Sequence, residues 1–184
     1  MGDHVTAAPH RRRRSASSGG ADTRVILDEL RLLVRALRVS ARGAEKRVGI
    51  SGAQLFVLQT LDEHGTASIG ELAHRTHTDP SSVSVVVSRL VVRGLVIRGE
   101  SREDARRAEV RLAAKGRSVL RGSPESTQTR LIAALEEMPS DTRKRLARGL
   151  GQLVSRMGLS GEPRMFFEDE AGETRENGGD HARA

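Results

Sequence analysis

The chain has 184 residues, no cysteine and a formal net charge of +7, so disulfides, thiolate metal sites and thiol redox chemistry are excluded. Residues 159–184 hold seven acids against three arginines, which leaves +11 on the remainder, a balance that points to a polyanionic partner, most often nucleic acid. With three Phe and no Tyr or Trp, the chain lacks the exposed rings on which single strands and RNA loops stack, and duplex DNA is the better fit.

Residues 1–21, with the run Arg11–Arg14, form a basic tail with little to bury and are expected to be disordered. No apolar stretch follows the basic residues, as a signal peptide would require. No apolar run reaches the length of about 18 residues that a transmembrane helix needs, so the expectation is a soluble cytoplasmic protein. A helix is expected from Asp22 to about residue 46, capped by Asp22 or Thr23. Ile26, Leu30, Leu33 and Leu37 fall on one face, and Leu27 and Val34 widen it. That stripe is too broad for the nearby sequence to cover, which suggests a second chain against it.

Ile50–Gly65 reads as a second helix. Ser51 and Gln54 form a capping box, Ile50 and Leu55 the hydrophobic staple, and Gly65 the stop. The device recurs at Ser68 and Glu71, which start a short helix burying Ile69, Leu72 and Ala73. Asp79 caps a further helix with Pro80 at its first position. Two short helices joined by a tight polar turn have the layout of a helix-turn-helix. Helical spacing sends Val83, Val86, Val87, Leu90 and Val91 inward and leaves Ser81, Ser82, Ser84, Val85, Ser88 and Arg89 outward. Small hydroxyls near a helix N-terminus let the backbone approach phosphates and base edges, and the helix dipole favours anions there.

After Gly94 the period changes to that of strands: LVIRG at 95–99 and AEVRL at 108–112. Between them stands an arginine-rich tip carrying Arg102, Asp104, Arg106 and Arg107. A helix-turn-helix followed by a β-hairpin is a winged helix. Arginines on such a wing gain most in a narrow minor groove, where negative potential is concentrated. Two more helices are expected at 113–138 and 140–159, the first bent or interrupted at Gly122–Pro124. Leu131, Ile132 and Leu135 line the first, and Leu146, Leu150, Leu153 and Met157 line the second. Residues 159–184 are expected to be a disordered acidic tail, with Met165-Phe166-Phe167 as its one apolar spot; a solvated triplet is favoured over one docked on the body.

The order of elements over residues 22–158 resembles the MarR family of bacterial transcription regulators. The most specific stretch is GLVIRGESREDARRAEVRLAAKG, residues 94–116. It is similar to that family's Gly-Leu-Val strand, Asp-x-Arg wing signature and following helix start. The fold this implies is mainly α with a small two-stranded β-wing. A winged helix-turn-helix at about 50–116 is flanked by dimerisation helices at about 22–46 and 113–158. On the match, Asp104 and Arg106 are the wing signature pair, Arg106 entering the minor groove and Asp104 holding an arginine at the wing base. Ser81, Ser82, Ser84, Ser88 and Arg89 match the positions facing the major groove. Two departures stand out. Val85 occupies a position that is often polar or basic, which fits a thymine-methyl contact or a weaker reader. Ala113 replaces a capping threonine.

The resemblance implies an obligate homodimer with Ile26, Leu30, Leu33, Leu37, Leu146, Leu150 and Leu153 in its seam. It implies a pseudo-palindromic duplex operator read by recognition helices about one DNA turn, ~34 Å, apart. It also implies repression relieved by a small aromatic or anionic effector in the cleft between the dimer helices and the winged helix, with Leu33, Leu37, Phe56 and His64 in that region. Lacking cysteine, the chain is not a peroxide sensor of the cysteine type.

Other readings stand beside this one. His64, His74 and His77 near Glu71 suggest a zinc site, but a surface His74 and a turn His77 suit the sequence better, and no metal or other cofactor is expected. No phosphate-binding glycine loop, nucleophile elbow or metal-binding His pair is present, so the chain is not expected to be an enzyme. The alternative function is a nonspecific architectural DNA binder, whose affinity falls steeply with salt and shows no site preference. In a further alternative the winged helix binds another protein, which the polar outward face and wing arginines disfavour.

Overall fold

The computed structural model describes residues 15–100, 108–161 and 165–166. They fall into two units, Met1–Ala36 and Leu37–Ala184, and one helix, α1 (Ser15–Val48), runs through both. It starts seven residues before Asp22. Asp22 and Thr23 are therefore interior residues rather than caps, and the Thr23 hydroxyl donates to the Gly19 carbonyl one turn back at 2.7 Å. In the first unit Val25, Ile26, Leu27, Leu32, Leu33 and Val34 are all exposed.

The second unit is built around α2 (Gly52–His64), with the short α3 (Ile69–Thr76) and α4 (Pro80–Val92) packed against it. From Ala53 to Leu58 every residue of α2 is buried, as befits a helix enclosed on all sides rather than one with a solvent face. Both expected capping boxes form. Ser51 Oγ accepts from Gln54 N at 3.2 Å while Ser51 N donates back to Gln54 Oε1 at 3.2 Å. Ser68 and Glu71 repeat the exchange at 3.2 and 2.7 Å. Gly65 ends α2 at φ 77, and His77 ends α3 in the left-handed region at φ 50.

Strands β1 (Val96–Glu100) and β2 (Ala108–Leu112) pair antiparallel, with Val96 opposite Leu112 and Arg98 opposite Val110. Val96, Val110 and Leu112 turn inward. A further bridge lies outside the hairpin: Ala67 N donates to Val110 O at 3.0 Å and Val110 N to Ala67 O at 2.8 Å. This ties β2 to the link between α2 and α3.

Beyond the wing come α5 (Ala114–Arg121), α6 (Thr127–Glu137) and α7 (Ser140–Arg156). The expected interruption at Gly122–Pro124 is complete, giving two helices where one bent helix was allowed for. Ser126 restarts the chain by accepting from Gln128 N and Thr129 N. Ala113 stands at the N-cap of α5 with no side-chain bond, as its lack of a hydroxyl dictates. α5 comes so close to the start of β1 that a Cβ on Gly116 would lie 2.2 Å from the Leu95 carbonyl oxygen.

The core gathers Ile50, Leu55, Phe56, Leu58, Leu72, Val83, Val86, Val87, Leu90, Leu95 and Val110, and it also takes in Met165. Of the two readings of the apolar triplet, docking on the body holds at that residue and the favoured solvated one does not. Met165 is 5% exposed because its unbranched thioether fills an apolar recess that the helices leave open. Among the described residues no helix is long and apolar enough to cross a membrane.

Candidate nucleic-acid interface

The turn between α3 and α4 aims α4 outward. Asp79, the N-cap, accepts from Ser82 N at 2.8 Å and from the Ser81 hydroxyl. The Ser81 hydroxyl first, then the Ser82 N–H and hydroxyl, hold the Asp79 carboxyl well below the usual carboxylate range. They do so by bonding its charged form. Pro80 occupies the first helical position, where its missing N–H costs nothing.

Val83, Val86, Val87 and Leu90 are at most 1% exposed, as the spacing predicts. Ser81, Val85 and Ser88 face solvent, and Ser84 and Arg89 are half-buried at the edges of that face. Two residues depart from expectation. Ser82, expected outward, is buried and spends its polar groups on the Asp79 cap. Val91, expected inward, is exposed. At about 100° per residue the two sit on opposite flanks, each roughly 90° from the buried line, where neighbours and not periodicity settle burial. The Ser88 hydroxyl donates back to the Ser84 carbonyl at 2.8 Å. Arg98 and Arg111 are exposed on the wing strands, and the expected tip residues Arg102, Asp104, Arg106 and Arg107 lie outside the described residues.

Arg93, just past α4, was not singled out from the sequence. Its guanidinium donates to the Gly49 carbonyl at 2.5 Å and to Gln54 Oε1 at 3.3 Å, and its carbonyl accepts from Lys115 Nζ at 3.0 Å. It ties the end of α4 to the start of α2 and is a structural cation rather than a free one.

The expected seam residues divide. Ile26 and Leu33 are exposed and Leu30 is half-buried in the first unit. Leu146, Leu150 and Leu153 are exposed in the second, on a helix with no buried residue at all. Leu37 differs from them in exposure, because at 7% it is already covered within its own chain. The start of α6 reaches α1 there, with Thr127 N donating to Ser40 Oγ at 3.2 Å.

A cleft of about 390 Å³ opens between α2, α3 and α6, lined by Phe56, Thr60, His64, His74, Arg75, His77 and Thr129 among others. Of the four residues placed near an effector, Phe56 and His64 line it. Leu37 borders a separate small cavity beside Ser40 and Leu55, and Leu33 belongs to the other unit. Arg75 Nη1 and Thr129 Oγ1 are buried here and make no hydrogen bond. Nothing in the local sequence flags Arg75, because the cleft exists only once α6 has folded back over α3. His77 Nε2 lies 3.2 Å from Glu136 Oε1 across the cleft. Among the described residues no three His, Asp or Glu side chains come together as metal ligands would.

Residues 48–107, from the end of α1 through the wing, match the MarR family model. Over that stretch the chain is similar to the MarR family. The HTH-type transcriptional repressor MdtR of Bacillus subtilis (strain 168) is 34% identical over 71 residues, 39% of this chain and 46% of MdtR. YfiV, an uncharacterized HTH-type transcriptional regulator of the same organism, is 28% identical over 107 residues, 58% of this chain and 67% of YfiV. The aligned stretch thus spans about half the length of MdtR. The crystal structure of a MarR family transcription regulator superimposes with a TM-score of 0.53 at 15% identity, over 79% of this chain and 98% of that one. It shows the shared fold. Both relatives are HTH-type regulators of transcription.

Proposed function

We propose that this chain is a regulator of the MarR type, sequence-specific, that binds duplex DNA as a homodimer. The observation that carries the reading is the outward face of α4. Small and basic residues Ser81, Ser84, Val85, Ser88 and Arg89 stand on a helix capped at its exposed N-terminus, beside a two-stranded wing bearing an arginine-rich tip. Such a helix fits the major groove, and wing arginines fit the adjacent minor groove. Ser82 belongs to this set through the cap that positions the helix, not through a base contact. Val85 offers an apolar surface to a thymine methyl.

Homodimerisation is supported by apolar faces on α1 and α7 that this chain leaves open. Repression follows the family resemblance and the similarity to the repressor MdtR, and release by a small ligand follows the resemblance alone. The cleft beside Arg75 supports an anionic effector, since a carboxylate there would satisfy the buried guanidinium N–H.

The test is binding to the DNA upstream of the chain's own gene, at two salt concentrations, against random competitor. A protected palindrome that survives competitor is expected. Binding lost to competitor and to modest salt would replace this reading with nonspecific coating by a basic body. On the specific site, Arg106→Ala should weaken binding by ~1–3 kcal/mol while the oligomeric state is kept; unchanged affinity would remove the wing from the interface.

A further inference from the structure

The last three turns of α1 carry Arg38, Arg42 and Lys46, four residues apart and all exposed. At about 100° per residue they fall in one line, roughly 130° from the buried line of Leu37, Ala41 and Ala44. A seam on the Leu37 side of α1 leaves this ladder open. Arg24 and Arg31, earlier in the helix, share Asp28. Among the described residues Arg38, Arg42 and Lys46 have no ion-pair or side-chain hydrogen-bond partner. Glu45, at the edge of the ladder, is the one acid between Arg38 and Gly49. Like charges four residues apart destabilise a helix, so the ladder weakens α1 until an outside anion neutralises it. Its foot is fixed to the reading head. Lys46 stands three residues before Gly49, whose carbonyl accepts from the guanidinium of Arg93, the residue that ends α4. Lys115 Nζ donates to the Arg93 carbonyl at the same joint.

We propose that this ladder is a DNA-contacting surface separate from α4 and the wing, and that it grips phosphates beside the groove that α4 reads. The inference rests on the DNA reading above and adds to it a contact outside the winged helix-turn-helix. The occupant is duplex phosphate because the ladder starts where α4 ends, and a helix in the major groove has a phosphate strand on either side. From Arg38 to Lys46 the ladder is about 12 Å long at 1.5 Å per residue. Over that length one strand presents about three to four phosphates, at ~3.4 Å of helix axis each, which suits three cations. Arginine and lysine on phosphate fix position and carry no sequence information. The ladder therefore strengthens binding to every duplex alike and leaves the choice of site to α4 and the wing.

Three full-length chains test it: wild type, the ladder variant Arg38→Gln/Arg42→Gln/Lys46→Gln, and the control Arg130→Gln/Lys144→Gln/Arg148→Gln, which removes the same charge from exposed positions of α6 and α7. Each is titrated with random duplex and with the upstream DNA between ~50 and ~200 mM salt. Glutamine is close to arginine and lysine as a helix former, so circular dichroism should show all three folded alike. Loss of three contacts should lower the slope of log K against log salt by ~2.7, which is a ~40-fold smaller change in affinity over that fourfold range. If the triple variant folds poorly, Arg42→Gln alone should lower the slope by ~0.9. The control should move it far less, and the ratio of upstream to random affinity should stay as in wild type. A ladder variant with the wild-type slope would overturn the contact and leave the DNA reading standing. Equal losses in ladder and control would also overturn it, since bulk charge would then explain both. A changed upstream-to-random ratio would make the ladder a reader of bases and not a grip on phosphate. Failure of the wild type to bind any duplex would remove the DNA reading and this inference together.

Discussion

Replacing Gly116 by alanine probes the joint that seats the wing. The added Cβ would stand 2.2 Å from Leu95 O, 3.2 Å from Leu95 C and 3.4 Å from Leu112 Cδ2. Ordinary carbon–oxygen contacts begin near ~3.3 Å, so the backbones of α5 and β1 must part by about 1 Å. The obstacle is backbone, and it is held in place: Leu95 O accepts from Ala113 N at 3.0 Å, and Leu95 N donates to Leu90 O at 2.9 Å. Overpacking of this kind costs ~1–3 kcal/mol. Alanine's better helix propensity returns up to ~1 kcal/mol. A net loss of ~1–2 kcal/mol is therefore expected, against a typical stability of ~5–15 kcal/mol. At about 2–4 °C per kcal/mol for a chain of this size, Tm should fall by ~2–8 °C. Thermal and urea unfolding followed by circular dichroism measure both. Gly70→Ala is the control of opposite sign. It lies in α3 with nothing within 4 Å of its added Cβ, and should hold or raise Tm. A Gly116→Ala chain as stable as wild type would mean that α5 does not pack on β1 as described.

Two further outcomes follow from the same geometry. Leu150→Asp places a charge on the open apolar face of α7. In a dimer that face is covered, so sedimentation should show monomer or loss of folding, whereas an intact dimer would put the seam elsewhere. For Asp79, the folded carboxyl lies below the usual carboxylate range, so its contribution is fully present at neutral pH. It starts to be lost as pH falls through the unfolded value near ~3.9, and is gone once the folded carboxyl also protonates. The stability gap between wild type and Asp79→Asn should therefore be widest at neutral pH and shrink below about pH 4. A gap that stays constant into acid would show that the Ser81 and Ser82 bonds do not bias its charged form.

Local chemistry made the helix-turn-helix and wing legible. The caps at Ser51, Ser68 and Asp79, the stop at Gly65 and the change of period after Gly94 all act between residues a few positions apart, and each appears where the spacing puts it. What escaped was set by neighbours distant in sequence. Ser82 and Val91 stand at the flanks of a helix, where burial depends on what lies alongside. Leu37 has the same period as Leu33, yet it is covered because α6 starts against it. Met165 looks like one apolar residue in a polar tail until the recess that receives it has been built. Arg75 becomes a candidate ligand group only when α6 closes the cleft. The helical start at Ser15 was hidden by Ser and Gly, whose weak propensity argued for a tail.

The bridge between Ala67 and Val110 has a kinematic consequence. A hairpin joined to a body only through its two strand ends can swing about that root. Here the second strand is also held from the far side, by two hydrogen bonds to the segment that enters α3. Hinge motion at the wing root would have to break both, in a place where Val110 and Ala67 are shut away from water and no solvent can replace them. Helix and hairpin root therefore share one set of rigid-body coordinates. On the proposed reading, a ligand that alters how the protein sits on DNA has little to gain by bending this module. The softer variables left to it are where whole modules stand relative to each other, and that is where conformational control of this chain should be sought.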